Sequence, residues 1–350
     1  MSKIKIGILG CGAVAYRWYL HGLSDSHKQY ELFAVCDQNI KLARDTAKKF
    51  NVQYFCSSKE ELFNLGIDLV VVLTRHNNHY EHNKYFLSKK VHVYSEKPFA
   101  EKINEGKELI KLAKKHNLIF GTAPQIMLSS RNKTLKKLLS EKIIGKPVLI
   151  RSSYSNLGPA GRSDTNYDPR WFYKDGGSLV SLGIYGLSLI IWLMGKPIKI
   201  CSFNSTALRK RTVMYGPFKG IKFNSTAPDN VVSILNFGRG CLALFDSSYV
   251  VTNPPKYELE IQGSQGTLLV NGFGGPKSIT LKNIHGKSKY IGPKDSSHKN
   301  WNLAWGVENV VSTIKNNSKL LVNTIFALQV LEAIEQMNKS AGINTIKKDE

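Results

Sequence analysis

The stretch KIKIGILGCGAVA, residues 3–15, decides the fold of the first part of this chain. Its apolar start predicts a β-strand over residues 4–9, and the pattern Gly-x-Gly-x-x-Ala follows at once. Gly10 permits a tight turn, Gly12 lets the backbone approach a pyrophosphate because it has no Cβ, and Ala15 allows close helix packing. These residues predict a dinucleotide site, with the phosphates at the N-terminus of the following helix.

An acid follows the second predicted strand. The apolar run over residues 32–36 ends in Asp37, about 20 residues beyond Ala15, which is the spacing of a carboxylate that binds a ribose hydroxyl. Such a carboxylate repels the 2′-phosphate of NADP by roughly 4 kcal/mol at 4 Å and an effective dielectric constant of 20. Neither Gln38 nor Asn39 supplies a compensating cation. The sequence therefore predicts NAD in preference to NADP.

The pattern of predicted strands and helices changes near residue 123. Strand-like runs alternate with helical stretches over residues 1–123, which predicts a doubly wound parallel sheet, the Rossmann fold. One of these helices begins with a capping signal formed by Ser57 and Glu60. Residues 124–350 contain strand-like runs separated by glycine turns, and then two closing helices. The predicted fold class is α/β, with a dinucleotide-binding domain followed by an α+β domain that carries a large, mostly antiparallel open sheet.

Composition and charge narrow the classes of partner. The chain has 350 residues, 49 Lys and Arg, 26 Asp and Glu, and a net charge of +23. No nucleic-acid motif accompanies this charge, which favours a solvated Lys-rich surface over a nucleic-acid partner. A small substrate is expected, and the positive charge is compatible with an anionic one. The five cysteines are scattered without a C-x-x-C pair, and no acid or Cys completes a set with His76, His79 and His82, so we expect no metal.

Two apolar segments imitate targeting or membrane signals. The N-terminal run is short and is interrupted by Lys5, unlike a signal peptide, so a cytoplasmic protein is expected. The run over residues 178–195 is nearly long enough to span a bilayer, but it contains serines, glycines and a tyrosine. A buried helix, with no membrane contact, is the favoured interpretation.

A lysine follows the fifth predicted strand. Residues 95–98 read Ser-Glu-Lys-Pro and come directly after the strand at residues 91–94. Because ligands of doubly wound sheets bind beyond the carboxyl ends of the strands, Lys97 is expected beside the nicotinamide. A cation there stabilises charge that develops on a substrate oxygen. Considered alone, the segment also fits an ordinary surface turn.

These residues together resemble the glucose–fructose oxidoreductase, inositol dehydrogenase and MocA family (Gfo/Idh/MocA). The resemblance continues through WFYKDGGSLVSLGIYGL at residues 171–187 and YELEIQGSQGTL at residues 257–268. It implies a nicotinamide-dependent oxidoreductase that acts on a sugar, a sugar phosphate or nucleotide, or a polyol, as a homodimer or homotetramer. The acid/base position of the family matches Tyr185 here, so the resemblance implies Lys97 and Tyr185 as the catalytic pair.

The chain departs from the family pattern at several places. Ser181 and Ser188 stand where many members carry acids, and Arg75 follows Thr74 where a Thr-Pro pair is usual. The expected cofactor-binding residues are Gly10, Gly12, Ala13, Val14, Asp37, Thr74, His79, Glu96, Lys97 and Gln125. The expected substrate residues are Lys97, Tyr154, Asp168, Arg170, Trp171, Ser181 and Tyr185. Two alternatives stay open: a glycosidase of the same fold that uses NAD transiently, and a cofactor-binding regulator without turnover.

Overall fold

The computed structural model describes residues 2–24, 28–271, 277–292 and 302–340. The chain divides into two compact units. The first unit consists of Met1–Leu128 and Trp301–Leu331, and the second of Ser129–Asn300 and Glu332–Glu350.

The first unit is built on a six-stranded parallel sheet. Its strands are β1 (Ile4–Leu9), β2 (Tyr30–Cys36), β3 (Tyr54–Cys56), β4 (Leu69–Val72), β5 (His92–Ser95) and β6 (Phe120–Thr122). The strand order β3-β2-β1-β4-β5-β6 confirms the predicted Rossmann fold. β4 is apolar and buried along its whole length, as expected of a parallel strand covered on both faces.

Helices lie between these strands. A π-helical segment, Ala15–Leu20, continues as His21–Leu23 after β1, and the other connecting helices are Ile40–Phe50, Lys59–Asn64, His79–Ser88 and Ile103–Lys115, with 3-10 turns at His76–Asn78 and, after β6, at Ile126–Leu128. Near the end of the chain, helix Ala304–Asn316 also belongs to the first unit, and helix Thr324–Ser340 begins in the first unit and ends in the second. The predicted capping signal at Ser57 and Glu60 was wrong by one residue. The Ser58 hydroxyl accepts the Glu61 N–H instead, at 3.2 Å.

The predicted division at residue 123, with both closing helices in the second domain, differs from the observed units. Segment Trp301–Leu331 belongs to the first unit because it packs at the β6 edge of the sheet. There the Thr122 N–H donates to the Val322 carbonyl at 2.8 Å. A Cβ on Gly121 would lie 2.4 Å from Val310, so the absence of a side chain permits this packing.

The second unit carries the larger sheet. Its strands are β7 (Pro147–Ser155), β8 (Lys199–Ser205), β9 (Lys210–Thr212), β10 (Lys222–Asn224), β11 (Asn230–Asn236), β12 (Leu242–Ser248), β13 (Leu259–Gly263), β14 (Gly266–Val270), β15 (Ile279–Asn283) and β16 (Ser288–Ile291). Eight of these strands form a sheet in the order β16-β15-β14-β13-β7-β12-β11-β8, and β9 pairs with β10 separately. All pairs in the larger sheet are antiparallel except β7 with β12, which confirms the predicted open sheet.

The helical segments of the second unit are Ser130–Ser140, Gly158–Gly161, a 3-10 turn at Arg170–Tyr173, a π-helical turn at Leu179–Gly183 and the helix Ile184–Met194. This last helix lies in the apolar run that resembles a membrane span, and seven of its residues are buried in the unit. Among the residues that the structure describes, no helix has both the length and the apolarity needed to cross a bilayer.

Candidate functional site

The glycine-rich turn after β1 has the geometry predicted for it. Gly10 has a φ of +101°, and a Cβ there would lie 2.9 Å from the backbone of Leu73, so only glycine suits both the conformation and the space. Gly12 differs, because a Cβ there would meet no described atom within 4 Å. The Tyr16 N–H donates to the Gly12 carbonyl, which starts the helix. The N–H groups of Ala13 and Val14 therefore lie in its first turn, where helical N–H groups lack intrahelical partners.

Asp37 lies at the carboxyl end of β2, next to this turn. Its Oδ2 accepts the Cys11 N–H at 2.9 Å, and its Oδ1 accepts the Asn39 N–H at 2.9 Å. The same carboxylate therefore connects the glycine-rich turn to the start of the next helix. Since an ionised carboxylate has about four acceptor sites, acceptor capacity remains for a ribose.

Glu96 and Lys97 follow β5 at the same edge of the sheet. The Glu96 carboxylate is buried, where its Oε1 accepts the Tyr19 hydroxyl at 2.7 Å and its Oε2 accepts the Lys97 N–H at 2.9 Å. Burial lowers the pKa of the Lys97 ammonium to about 8, although the charge of Glu96 opposes this shift. Lys97 is thus a cation that desolvation makes easier to deprotonate than an ordinary lysine.

Thr74 and His79 connect the loop after β4 to the Glu-Lys-Pro segment. The ring nitrogens of His79 lie 2.9 Å from the Thr74 carbonyl oxygen and 2.7 Å from that of Pro98, and the Thr74 hydroxyl lies 3.0 Å from Nδ1 of His82. Burial lowers the pKa of His79 in spite of these contacts, so the neutral ring donates to one of the two carbonyls. His79 thereby holds in place the loop that carries Lys97.

Gln125 follows β6 and is fully buried. Its Nε2 donates to the Asn302 carbonyl at 3.3 Å, while its Oε1 has no hydrogen-bond partner in the described part of the chain. A buried acceptor without a partner is costly, and a ligand that carries an N–H group would satisfy it. Together with the open space at Gly12 and the acceptors of Asp37, this acceptor fits a dinucleotide at the carboxyl edge of the sheet. No cluster of His, Cys, Asp or Glu that could hold a metal occurs among the described residues.

In the second unit, Tyr185 lies near the start of the helix Ile184–Met194 and is half-buried. Glycines on either side of it bring the helix close to the sheet. A Cβ on Gly183 would lie 2.6 Å from the Ser247 hydroxyl, and one on Gly186 would lie 2.2 Å from the Tyr154 ring. Because Gly183 and Gly186 have no side chains, the segment that carries Tyr185 can approach β7 and β12 closely.

Tyr154 is held by a buried ion pair. Its phenol hydrogen-bonds with Arg131 and Glu258, and burial is the main cause that raises its pKa. The Arg131 guanidinium lies 2.5 Å from Glu258 and is itself 3% exposed. Sequence reasoning did not single out Arg131 or Glu258, because a helical arginine and a strand glutamate are usually surface residues.

The other predicted substrate residues form two local groups. Arg170 and Asp168 make a bidentate ion pair, with the shortest N–O distance 2.6 Å, and the Trp171 ring stacks on Phe172 with centroids 3.7 Å apart. Ser181 is engaged differently, since its hydroxyl hydrogen-bonds the phenol of Tyr249.

Comparisons with known proteins agree with this geometry. A model described as an oxidoreductase family with an NAD-binding Rossmann fold matches residues 4–123, and one described as the GFO/IDH/MocA C-terminal domain matches residues 132–269. The scyllo-inositol 2-dehydrogenase (NADP(+)) IolU of Bacillus subtilis is 25% identical, over 97% of this chain and 98% of its own.

Solved structures share the fold over the whole chain. An NAD binding oxidoreductase from Klebsiella pneumoniae has a TM-score of 0.79 at 21% identity and covers 99% of this chain and 100% of its own. The WlbA dehydrogenase from Bordetella pertussis, solved with NADH and UDP-GlcNAcA, has a TM-score of 0.78 at 19% identity, over 97% of this chain and 95% of its own.

Proposed function

The chain belongs to the Gfo/Idh/MocA oxidoreductase family, and on that premise we propose that it transfers a hydride between NAD(H) and a hydroxyl or keto carbon of a sugar, a sugar derivative or a polyol. As a member of this family, the protein is an NAD(P)-dependent dehydrogenase or reductase that acts on CH–OH groups. The observation that carries our proposal is Lys97, a desolvated cation next to a buried carboxylate at the carboxyl edge of the parallel sheet.

The residues around the glycine-rich turn suit the cofactor. The first-turn N–H groups at Ala13 and Val14 bind the pyrophosphate, Asp37 accepts from a ribose hydroxyl, and Gln125 Oε1 accepts from the nicotinamide amide. When bound, NAD supplies the hydride acceptor. Asp37 favours NAD over NADP through charge repulsion, as argued from the sequence.

We assign the proton and the charge to two side chains. In the oxidation direction, the Tyr185 oxygen takes the proton of the substrate hydroxyl, and in reduction it returns that proton. Lys97 stabilises the negative charge that develops on the same substrate oxygen and favours the ionised form of Tyr185. Polar and aromatic groups at Tyr154, Asp168–Trp171 and Ser181 suit the hydroxyls and the apolar face of a sugar.

Two substitutions test this assignment. Lys97→Ala and Tyr185→Phe should each lower turnover about 10²- to 10⁴-fold, because each removes a group that acts in the transition state. NADH absorbance measures turnover, and fluorescence titration should show that NAD still binds. Lys102→Ala and Tyr290→Phe, which change exposed residues, are the matched controls. Turnover close to that of the unaltered protein in either active-site variant would refute the assignment.

A screen for net NADH formation identifies the substrate class. Sugars, sugar phosphates, sugar nucleotides and polyols are the compounds to test. Net NADH with one of them supports a dehydrogenase, whereas cleavage of a glycoside without net NADH supports the alternative glycosidase.

The open sheet supports self-association as part of the proposal. Its outer face exposes a cluster of apolar side chains, here called the outer-face patch: Phe203, Val232, Ile234, Leu242 and Leu244. Exposed apolar clusters of this kind mark protein interfaces. We propose a homodimer or homotetramer that buries this patch.

A further inference from the structure

Tyr19 is a buried side chain next to the Glu-Lys-Pro segment. It lies on the π-helical segment Ala15–Leu20, which follows the glycine-rich turn. Its side chain is fully buried, whereas Tyr16 and Trp18 on the same segment are exposed. Short π-helical segments are frequent at functional sites. This one carries a phenol from the glycine-rich turn into the interior of the first unit.

The Tyr19 phenol holds one oxygen of the Glu96 carboxylate. Its hydroxyl donates to Oε1 of Glu96 at 2.7 Å, and the other carboxylate oxygen, Oε2, accepts the Lys97 N–H at 2.9 Å. Burial is the main cause that raises the pKa of Tyr19 well above its usual value, so the phenol stays protonated and able to donate. Both oxygens of this buried carboxylate therefore have a donor, one from the π-helical segment and one from the loop that carries Lys97.

A second phenol and a closely packed helix restrict the position of Tyr19. The Tyr94 hydroxyl lies 3.5 Å from the Tyr19 hydroxyl, and the two ring centroids are 6.1 Å apart. A Cβ on Gly306 would lie 2.2 Å from the Tyr94 hydroxyl, so the helix Ala304–Asn316 packs directly on this phenol. The donor to Glu96 is therefore ordered by close packing before any ligand binds.

We propose that Tyr19 is a positioning residue for Lys97: its hydrogen bond holds the Glu96 carboxylate in the orientation in which the carboxylate charge stabilises the Lys97 ammonium. The inference rests on the proposed function in that it takes Lys97 as the cation of the active site. Without the Tyr19 hydroxyl, Oε1 of Glu96 would lose this donor while buried, and the carboxylate would rotate or take up a proton. Burial lowers the pKa of Lys97 and the charge of Glu96 raises it, so weakening this attraction should lower the pKa further.

Other ionisable groups lie around this carboxylate. Tyr94 and His79 interact electrostatically with Glu96, and His76, whose ring lies 2.7 Å from the Glu101 carboxylate, interacts with His79. Burial raises the pKa of Tyr94 and lowers that of His79, so both are uncharged at neutral pH. All of these groups persist in the variants compared below, so their contribution to the pKa of Lys97 is constant across the comparison.

The test is an NMR titration of the protein, without added ligand, labelled with carbon-13 at the lysine Cε atoms. The Lys97 resonance is assigned by its loss in Lys97→Arg, and its midpoint in the unaltered protein should lie near pH 8. Tyr19→Phe should lower this midpoint by about one unit, a tenfold change in the ionisation equilibrium. Glu96→Gln removes the charge itself and should lower the midpoint at least as far. Because both act through one carboxylate, the double variant should lower it no further than Glu96→Gln alone.

Tyr30→Phe is the matched control, because it removes the phenol oxygen of another buried tyrosine of the first unit, which lies 3.5 Å from the Gly22 carbonyl oxygen. It should leave the midpoint of Lys97 unchanged. No shift in Tyr19→Phe, or an equal shift in Tyr30→Phe, would overturn the role of Tyr19, and no shift in Glu96→Gln would overturn its action through Glu96. Glu96→Gln keeps the test decisive if Tyr19→Phe does not fold. The titration needs neither substrate nor cofactor, so its failure is distinct from retained turnover in Lys97→Ala, which contradicts the proposed function instead.

Discussion

The carboxylate of Asp37 is held by the fold before any ligand arrives. Its two oxygens accept N–H groups from Cys11 and Asn39, so its side chain is already ordered. If Asp37 binds the ribose as proposed, no free energy is needed to order it on binding, and its charge disfavours the 2′-phosphate of NADP.

NAD should bind at least about tenfold more tightly than NADP, since a difference of only about 1.4 kcal/mol is needed for that ratio. Asp37→Asn keeps the shape and one acceptor oxygen but removes the charge. This change should bring the dissociation constants of NAD and NADP closer together. Calorimetric titration measures both. Tighter binding of NADP by the unaltered protein would show that Asp37 does not face the ribose.

Lys97 predicts a pH limit. Burial lowers its pKa to about 8, so the ammonium is present below that pH and is lost as the pH rises through it. If the cation stabilises the substrate oxygen, kcat/KM should fall on the alkaline side with a pKa near 8. A pH profile of kcat/KM measures this limb. A profile that stays level well above pH 8 would contradict the role given to the cation.

At the scale of elements, the N-terminus of the helix Lys59–Asn64 allows the stability contributed by one capping hydrogen bond to be measured. Ser58 caps this helix through the Glu61 N–H, whereas Ser57 bonds to the exposed Glu61 carboxylate. Ser58→Ala should lower the free energy of unfolding by about 1 kcal/mol, and Ser57→Ala by distinctly less. Urea denaturation compares the two. A larger loss for Ser57→Ala would reverse the assignment of the cap.

The same helix shows where local patterns stop being informative. The doublets Ser57-Ser58 and Glu60-Glu61 offer two equivalent capping registers, and only the folded backbone selects between them. Buried apolar strands such as β4 were predictable from the sequence, because their composition reflects burial on both faces. β9 was missed, because Lys-Arg-Thr has no apolar alternation.

At the scale of the whole molecule, the outer-face patch predicts an assembly. Ile234 lies directly opposite Leu244 in the middle of it, and a charge there would be buried without a partner in the interface. Ile234→Lys should shift sedimentation velocity from an oligomer toward a monomer. Ile325→Lys, a change at an exposed residue of the other unit, is the control. An unaltered protein that sediments as a monomer would contradict self-association.

Contacts between residues that are far apart in the sequence could not be predicted from the sequence. Arg131 and Glu258 are 127 residues apart along the chain, and nothing local to either indicates the other. The parallel, doubly wound character of the first sheet was predictable because its strands alternate with helices along the sequence. The return of Trp301–Leu331 to that sheet has no such local cause.

This return has a consequence for biosynthesis. The carbonyl of Val322 that pairs with Thr122 leaves the ribosome about 200 codons after its partner. At roughly 5–20 residues per second, the nascent N-terminal unit waits on the order of 10–40 s with one border of its β-layer uncovered. While the ribosome synthesises residues 123–322, we expect a chaperone to bind the nascent chain at this uncovered border.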